Sequence, residues 1–141
     1  MILRLTSEQF CFLKDESGKI HPIEACALLF GRLNCREAVV TKVVVMTNVL
    51  ESSTRFKADP QQVFDAFEEA DRDGLQFIGF FHQHPAPARP SGVDLQYMRL
   101  WDEAVWLILS ASDGRIAAFQ MTDGDLHELT LKVESMRRPE T

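Results

Sequence analysis

His82 and His84 flank the single residue Gln83 at the end of a short, nearly continuous apolar run, residues 75–81. On a strand, successive side chains alternate faces, so both imidazoles project to one side, about 7 Å apart at the backbone. Asp94 follows ten residues after His84, beyond the proline-rich stretch 85–90 and one turn into a segment opened by Ser91. That stretch is long enough to fold the helix end back over the histidines. Two neutral imidazole nitrogens and one carboxylate oxygen suit zinc, and three protein ligands leave the fourth tetrahedral position to water, the catalytic rather than the structural pattern. Hydrolysis at such a centre also needs a base for the water's proton and a donor for the developing oxyanion. Ser91 is placed to offer its hydroxyl. Glu24 is the candidate base, because a carboxylate in the otherwise apolar stretch 22–30 is expensive unless it has a task. Spacing alone does not bring Glu24 to the histidines.

Each part has an ordinary reading when taken singly. Ser91-x-x-Asp94 is a capping box, and a His-x-His pair on a strand is more often solvent-facing or satisfied in a core than bound to metal. Cys26 reads as a small buried apolar residue, and the ten phenylalanines with Trp101 and Trp106 read as core. Cys11, Cys26 and Cys35 form no CxxC pair and leave one unpaired in any disulfide scheme, so a thiolate zinc knuckle and a secreted disulfide scaffold are both disfavoured.

The elements that must position these residues follow from periodicity and punctuation. Thr6 and Ser7 open a helix that runs weakly through Gly18 to Pro22. Residues 27–30 and 38–45 form a strand pair, with Gly31 and Asn34 as turn signals. Asp59 and Pro60 start a second helix with Val63, Phe64, Phe67 and Ala70 on one face, ending at Gly74. Residues 75–81 are a strand buried on both faces. Residues 91–101 form a helix with apolar Leu95, Met98 and Leu100, and 105–109, 115–121 and 126–133 are three strands joined by the turns at 112–114 and 123–125. Helices and hairpins around one sheet give an α/β (α+β) class with a mixed, largely antiparallel central sheet flanked by helices.

With 141 residues, the chain can bury one core, expected over residues 1–134 and followed by a polar tail at 135–141. Lys plus Arg number 15 against 21 Asp plus Glu, a net charge of -6 with the basic residues scattered, which disfavours nucleic acid and anionic membrane as partners. No apolar run approaches a membrane span and no secretory leader is evident, so a cytoplasmic protein is expected.

His82-Gln83-His84-Pro85, the stretch Pro90-Ser91-Gly92-Val93-Asp94 and the upstream run from His21 through Glu24 to Gly31 together resemble the JAMM (MPN-plus) metallopeptidase family, in its small single-domain prokaryotic form. Asn48 and the stretch from Phe56 to Pro60 also stand where the family has an Asn and an Asp-Pro entering its second helix. The resemblance implies a single MPN-like (cytidine-deaminase-like) domain. It implies one zinc per chain on His82, His84 and Asp94, Glu24 as general acid/base, and Ser91 stabilising the oxyanion. It implies an isopeptidase that cuts after the C-terminal glycine of a ubiquitin-like modifier or sulfur-carrier protein joined to a lysine. Those conjugates are the implied partners, with a homo-oligomer left open. Ala27 and Gln83 depart from the family's commoner Gly and Ser/Thr, and neither is a ligand or the base. Two alternatives stand beside this reading: a noncatalytic scaffold of the same fold, against which the complete ligand set counts, and a DNA-repair-associated relative that shares His-x-His-Pro and Ser-x-x-Asp at the same spacing.

Overall fold

The computed structural model describes residues 1–53, 56–85 and 87–135. Most of the expected polar tail, residues 136–141, lies outside the described residues. In chain order the elements are β1 (Ile2–Thr6), α1 (Ser7–Ile20), β2 (Cys26–Leu33), β3 (Glu37–Met46), α2 (Pro60–Arg72), β4 (Gln76–His84), α3 (Gly92–Leu100), β5 (Val105–Ser110), β6 (Ile116–Thr122) and β7 (Asp125–Glu134).

The strands form a closed barrel in the order β1-β3-β2-β4-β5-β6-β7, rather than a central sheet flanked by helices. Four pairings are antiparallel, β2 with β3 and β4, and β6 with β5 and β7. Three are parallel, β1 with β3 and β7, and β4 with β5. Closure depends on β1, which the sequence reading passed over when it began at the helix cap of Thr6. Its signal is the two-residue alternation that buries Leu3 and Leu5, and its parallel pairing to both β3 and β7 joins the two ends of the sheet. Thr6 then caps α1 in a capping box with Gln9.

Alternation divides the strands into two faces. Leu3, Leu5, Ala27, Leu29, Phe81, Leu107 and Leu109 fill the barrel interior. Cys26, Leu28 and Phe30 point outward against Ala66 and Ala70 of α2, while Trp106 and Ile108 point outward against Met98 of α3. By the same alternation His82, next to Phe81, lies on the outer face of β4, between the two helical layers. The wall of the barrel that carries the histidines is therefore covered on both sides, which is why β4 reads as a continuous apolar run.

Several local expectations change. Gly31 does not turn the chain but continues β2 at a bulge, where a Cβ would sit 1.9 Å from the Val39 carbonyl oxygen; the turn belongs to Asn34, whose Oδ1 accepts from the N–H groups of Arg36 and Glu37. Phe64 is exposed, since α2 packs through Val63, Ala66, Phe67 and Ala70, and Leu100 is exposed at the end of α3. Asp59 caps α2 by accepting from the Gln61 N–H, and Asp123 and Gly124, both at positive φ, make the tight β6–β7 turn.

Gly79 is a close approach in the wall that holds the histidines: a Cβ there would lie 1.8 Å from the Val105 carbonyl oxygen on β5. Gly79→Ala is expected to force β4 and β5 apart and lower stability by about 3 kcal/mol, as overpacking against backbone does. The check is a lower urea midpoint at unchanged slope.

Candidate active site

His82 and His84 are residues of β4 itself, not of the loop beyond it, and their rings lie edge to face with centroids 4.7 Å apart. Both are buried. Glu24 precedes β2, the antiparallel neighbour of β4, and Cys26 stands opposite His82. That pairing is what the sequence could not supply: it carries Glu24 to His82, where its Oε1 accepts from His82 Nδ1 at 2.6 Å. The backbone of Glu24 is held from two sides, its N–H donating to the Ser52 carbonyl at 2.7 Å and its carbonyl accepting from Asn48 Nδ2 at 2.9 Å. Asn48, buried, also accepts on its Oδ1 from the N–H groups of Leu50 and Lys57. The resemblance pointed to Asn48 without a role; its hold on the Glu24 backbone is visible only in the fold.

Asp94 arrives from the other side. Ser91 is the N-cap of α3, its Oγ accepting from the Asp94 N–H at 3.1 Å while Asp94 Oδ2 accepts from the Ser91 N–H at 2.9 Å. The capping box therefore exists, and it aims the carboxylate: Asp94 Oδ2 lies 2.6 Å from His84 Nε2 and 3.7 Å from His82 Nε2. Capping uses a lone pair of the Ser91 oxygen and leaves its proton for another acceptor.

All five residues named from the sequence thus fall within one linked group, two imidazoles between two buried carboxylates. Single ligating atoms of Glu24, His82 and His84 lie within 4.8 Å of one another. Two buried polar atoms, His82 Nε2 and Glu24 Oε2, have no hydrogen-bond partner. No Lys or Arg forms an ion pair with Glu24 or Asp94 among the described residues. Buried carboxylates without a cationic partner are costly, and a divalent cation beside the unpartnered nitrogen answers both needs. The donor set fits a borderline-soft metal.

The electrostatics agree. Burial alone would push the His84 pKa down, but the hydrogen bond and charge of Asp94 hold it above the ordinary histidine value. Burial would likewise raise Asp94, yet the His84 hydrogen bond, the charge of His82 and the Ser91 N–H keep its carboxyl below the usual range. Burial, with the charge of Glu24 in addition, pushes the Cys26 thiol up to about 12, which removes it as a thiolate ligand or nucleophile and supports its reading as core.

A cleft of about 300 Å³ opens on this group, lined by His21, Glu24, Ser53, Gln83, His84 and Ala111. Of these, Gln83 stood out in the sequence as a departure from the family's pattern and His21 as the start of its upstream run, whereas Ser53 and Ala111 carried no sequence signal. On the opposite side the Phe56 ring packs on His82 at 4.8 Å.

A small mixed barrel with this group on the outer face of β4 is a JAMM-type (MPN) domain. Residues 13–122 match the family described as prokaryotic homologs of the JAB domain. The chain is 35% identical over 113 residues to the desampylase of Pyrococcus furiosus, covering 79% of this chain and 77% of that protein. It is 34% identical over 105 residues to a probable TtuB-protein conjugate cleaving protease of Thermus thermophilus, covering 73% of this chain and 65% of that one. The solution structure of a Desulfitobacterium hafniense protein matches with a TM-score of 0.83 and 28% identity, over 96% of this chain and 94% of that one. The chain belongs to the prokaryotic branch of the JAMM/MPN family and is a JAMM-type isopeptidase. No helix among the described residues is long and apolar enough to cross a membrane.

Proposed function

We propose that the protein is a zinc-dependent isopeptidase that releases a ubiquitin-like modifier or sulfur-carrier protein from a lysine by hydrolysing the bond after the modifier's C-terminal glycine. The observation that carries the reading is the unpartnered, fully buried His82 Nε2 facing Asp94 Oδ2 beside His84 Nε2. His82, His84 and Asp94 would hold zinc. The third ligand is assigned to Asp94 rather than Glu24 because Asp94 Oδ2 neighbours both Nε2 atoms, whereas Glu24 Oε1 is engaged by His82 Nδ1. When bound there, zinc supplies Lewis acidity that makes water nucleophilic at neutral pH and polarises a carbonyl.

The protein's own groups do the rest. Glu24, on the floor of the cleft, takes the proton of the attacking water and passes it to the lysine amine as the C–N bond breaks. Its Oε1 fixes the His82 tautomer by holding the proton on Nδ1, leaving Nε2 as a lone-pair donor. The Ser91 hydroxyl, anchored by the α3 cap, donates to the oxyanion. The names of the Thermus and Pyrococcus relatives support a modifier conjugate as substrate. The noncatalytic scaffold reading is disfavoured by the completeness of the buried ligand set.

The test is mass spectrometry of the products from a ubiquitin-like conjugate: an intact modifier ending in a glycine carboxylate and a free lysine amine support the reading, and cleavage elsewhere or no cleavage of any such conjugate overturns it. Protons compete with the metal at His84. Because Asp94 holds the His84 pKa above about 6.5, zinc affinity is expected to start falling above the ordinary histidine range and to drop steadily as pH is lowered from 8 to 5.5. A chelator-competition titration across that range measures it, and a flat profile contradicts it.

A further inference from the structure

Gln83 stands between the two histidines, yet the metal chemistry makes no use of it. Alternation along β4 turns its side chain to the face opposite theirs, at the end of the barrel wall. Its backbone is accounted for: the N–H donates to the Ala25 carbonyl at 3.0 Å, and the residue stands opposite Leu109 of β5. Its amide is not. The residue is only 9% exposed, and the amide has no hydrogen-bond partner among the described residues. The fully buried unpartnered side-chain atoms among those residues belong to Ser17, Glu24, His82 and Trp106. The unpartnered Gln83 amide is therefore the part of the residue that reaches the cleft it lines.

The backbone around that cleft has little to offer a peptide. Pro22 and Pro85 carry no N–H. The His84 and Pro85 carbonyls already accept from the N–H groups of Ala111 and Ser112, at 2.8 and 3.2 Å, and the Glu24 N–H is spent on Ser52. A glutamine amide presents a donor and an acceptor side by side. That is the complement of the N–H and C=O of a single residue in extended peptide, which point the same way, as they do in a hydrogen-bonded strand pair. The Ser or Thr commoner here in the family has one short hydroxyl and cannot make that pair.

Glu24 decides which part of a substrate this is. It lines the same cleft, whereas Ser91, assigned to the oxyanion, does not. The amine that receives the proton of Glu24 must lie beside it, so the leaving lysine enters here. An extended lysine side chain spans about 6 Å from amine to Cα, and strand geometry sets the backbones of Glu24 and Gln83 about the same 6 Å apart. Resting on the isopeptidase reading, we propose that Gln83 is a specificity-determining residue that holds the acceptor lysine by its own backbone. Nε2 donates to the lysine C=O, and Oε1 accepts from the lysine N–H. The grip reads a lysine embedded in a peptide chain and is indifferent to the side chains on either side of it.

The test compares two conjugates, each with fluorescein on a short tail whose terminal glycine is joined to a lysine side chain. In one, the lysine is acetylated at its α-nitrogen and closed as the methylamide; in the other, that nitrogen is also methylated, which removes the N–H. Binding is followed by fluorescence polarisation on the full chain carrying Glu24→Gln, so that the conjugate persists. The N–H conjugate is expected to bind about fivefold more tightly, the effect of one hydrogen bond. Adding Gln83→Met, close in shape but without the amide, or Gln83→Thr, the family's commoner type, brings the ratio to about one with zinc content unchanged. Equal or undetectable binding of both conjugates, a ratio that survives both Gln83 substitutions, or loss of zinc in both, overturns the proposal. Cleavage by the chain with Glu24 intact separates the two claims. A Gln83-dependent ratio with neither conjugate cut contradicts the hydrolytic reading alone, and cutting of both with no such ratio contradicts the role of Gln83 alone.

Discussion

Glu24→Gln is expected to lower isopeptide turnover by about three orders of magnitude while leaving the fold and the metal content intact. The two effects separate because the two oxygens of Glu24 are proposed to have different tasks. Oε1 accepts from His82 Nδ1, and the glutamine carbonyl can accept the same hydrogen bond, so the imidazole keeps its orientation. The backbone of residue 24 stays tied to Ser52 and Asn48, neither of which senses the substitution. What is lost is a carboxylate oxygen able to take a proton, the role proposed for Oε2, which has no hydrogen-bond partner. Single-turnover rates with zinc content measured on the same sample check it. Retained turnover removes Glu24 as the base, and lost zinc at normal folding makes Glu24 a ligand instead.

Asp94→Asn gives the opposite pattern. An amide oxygen can still accept from the Ser91 N–H, so the start of α3 is kept, but the negative charge between the two Nε2 atoms is gone. Loss of an outer partner costs roughly 10–100-fold in metal affinity; loss of a charged ligand is expected to exceed that, and activity falls with occupancy. The variant binds zinc weakly and gains activity as zinc is added in excess, whereas Glu24→Gln binds normally and gains nothing. Isothermal titration of both variants distinguishes ligand from base in one comparison. Normal affinity in Asp94→Asn shows that Glu24, His82 and His84 hold the metal without it.

Much of this site was legible in residue order because its parts are local. His82-x-His84 is a strand statement and Ser91-x-x-Asp94 a helix-cap statement, and each has one geometry. Glu24 was legible only as a misplaced charge, since the contact with His82 is made by strand pairing across 58 residues, and register between distant strands is not written in either strand alone. The barrel was missed for a related reason. Closure rests on the short β1, whose alternation of Leu3 and Leu5 is modest and whose partners, β3 and β7, both lie far along the chain. Trp101 read as core with the other aromatics, but α3 is only nine residues long and buries Met98, and Trp101 at its C-cap stays 44% exposed.

One zinc on His82, His84 and Asp94 is proposed to make this chain a hydrolase of glycyl–lysine isopeptide bonds. The direct measurement is cleavage of such a bond by metal-stripped protein as zinc is added back in known amounts. No cleavage is expected without metal, followed by a linear rise and a break at one zinc per chain. Full activity in the stripped protein, or a break at any other ratio, contradicts it.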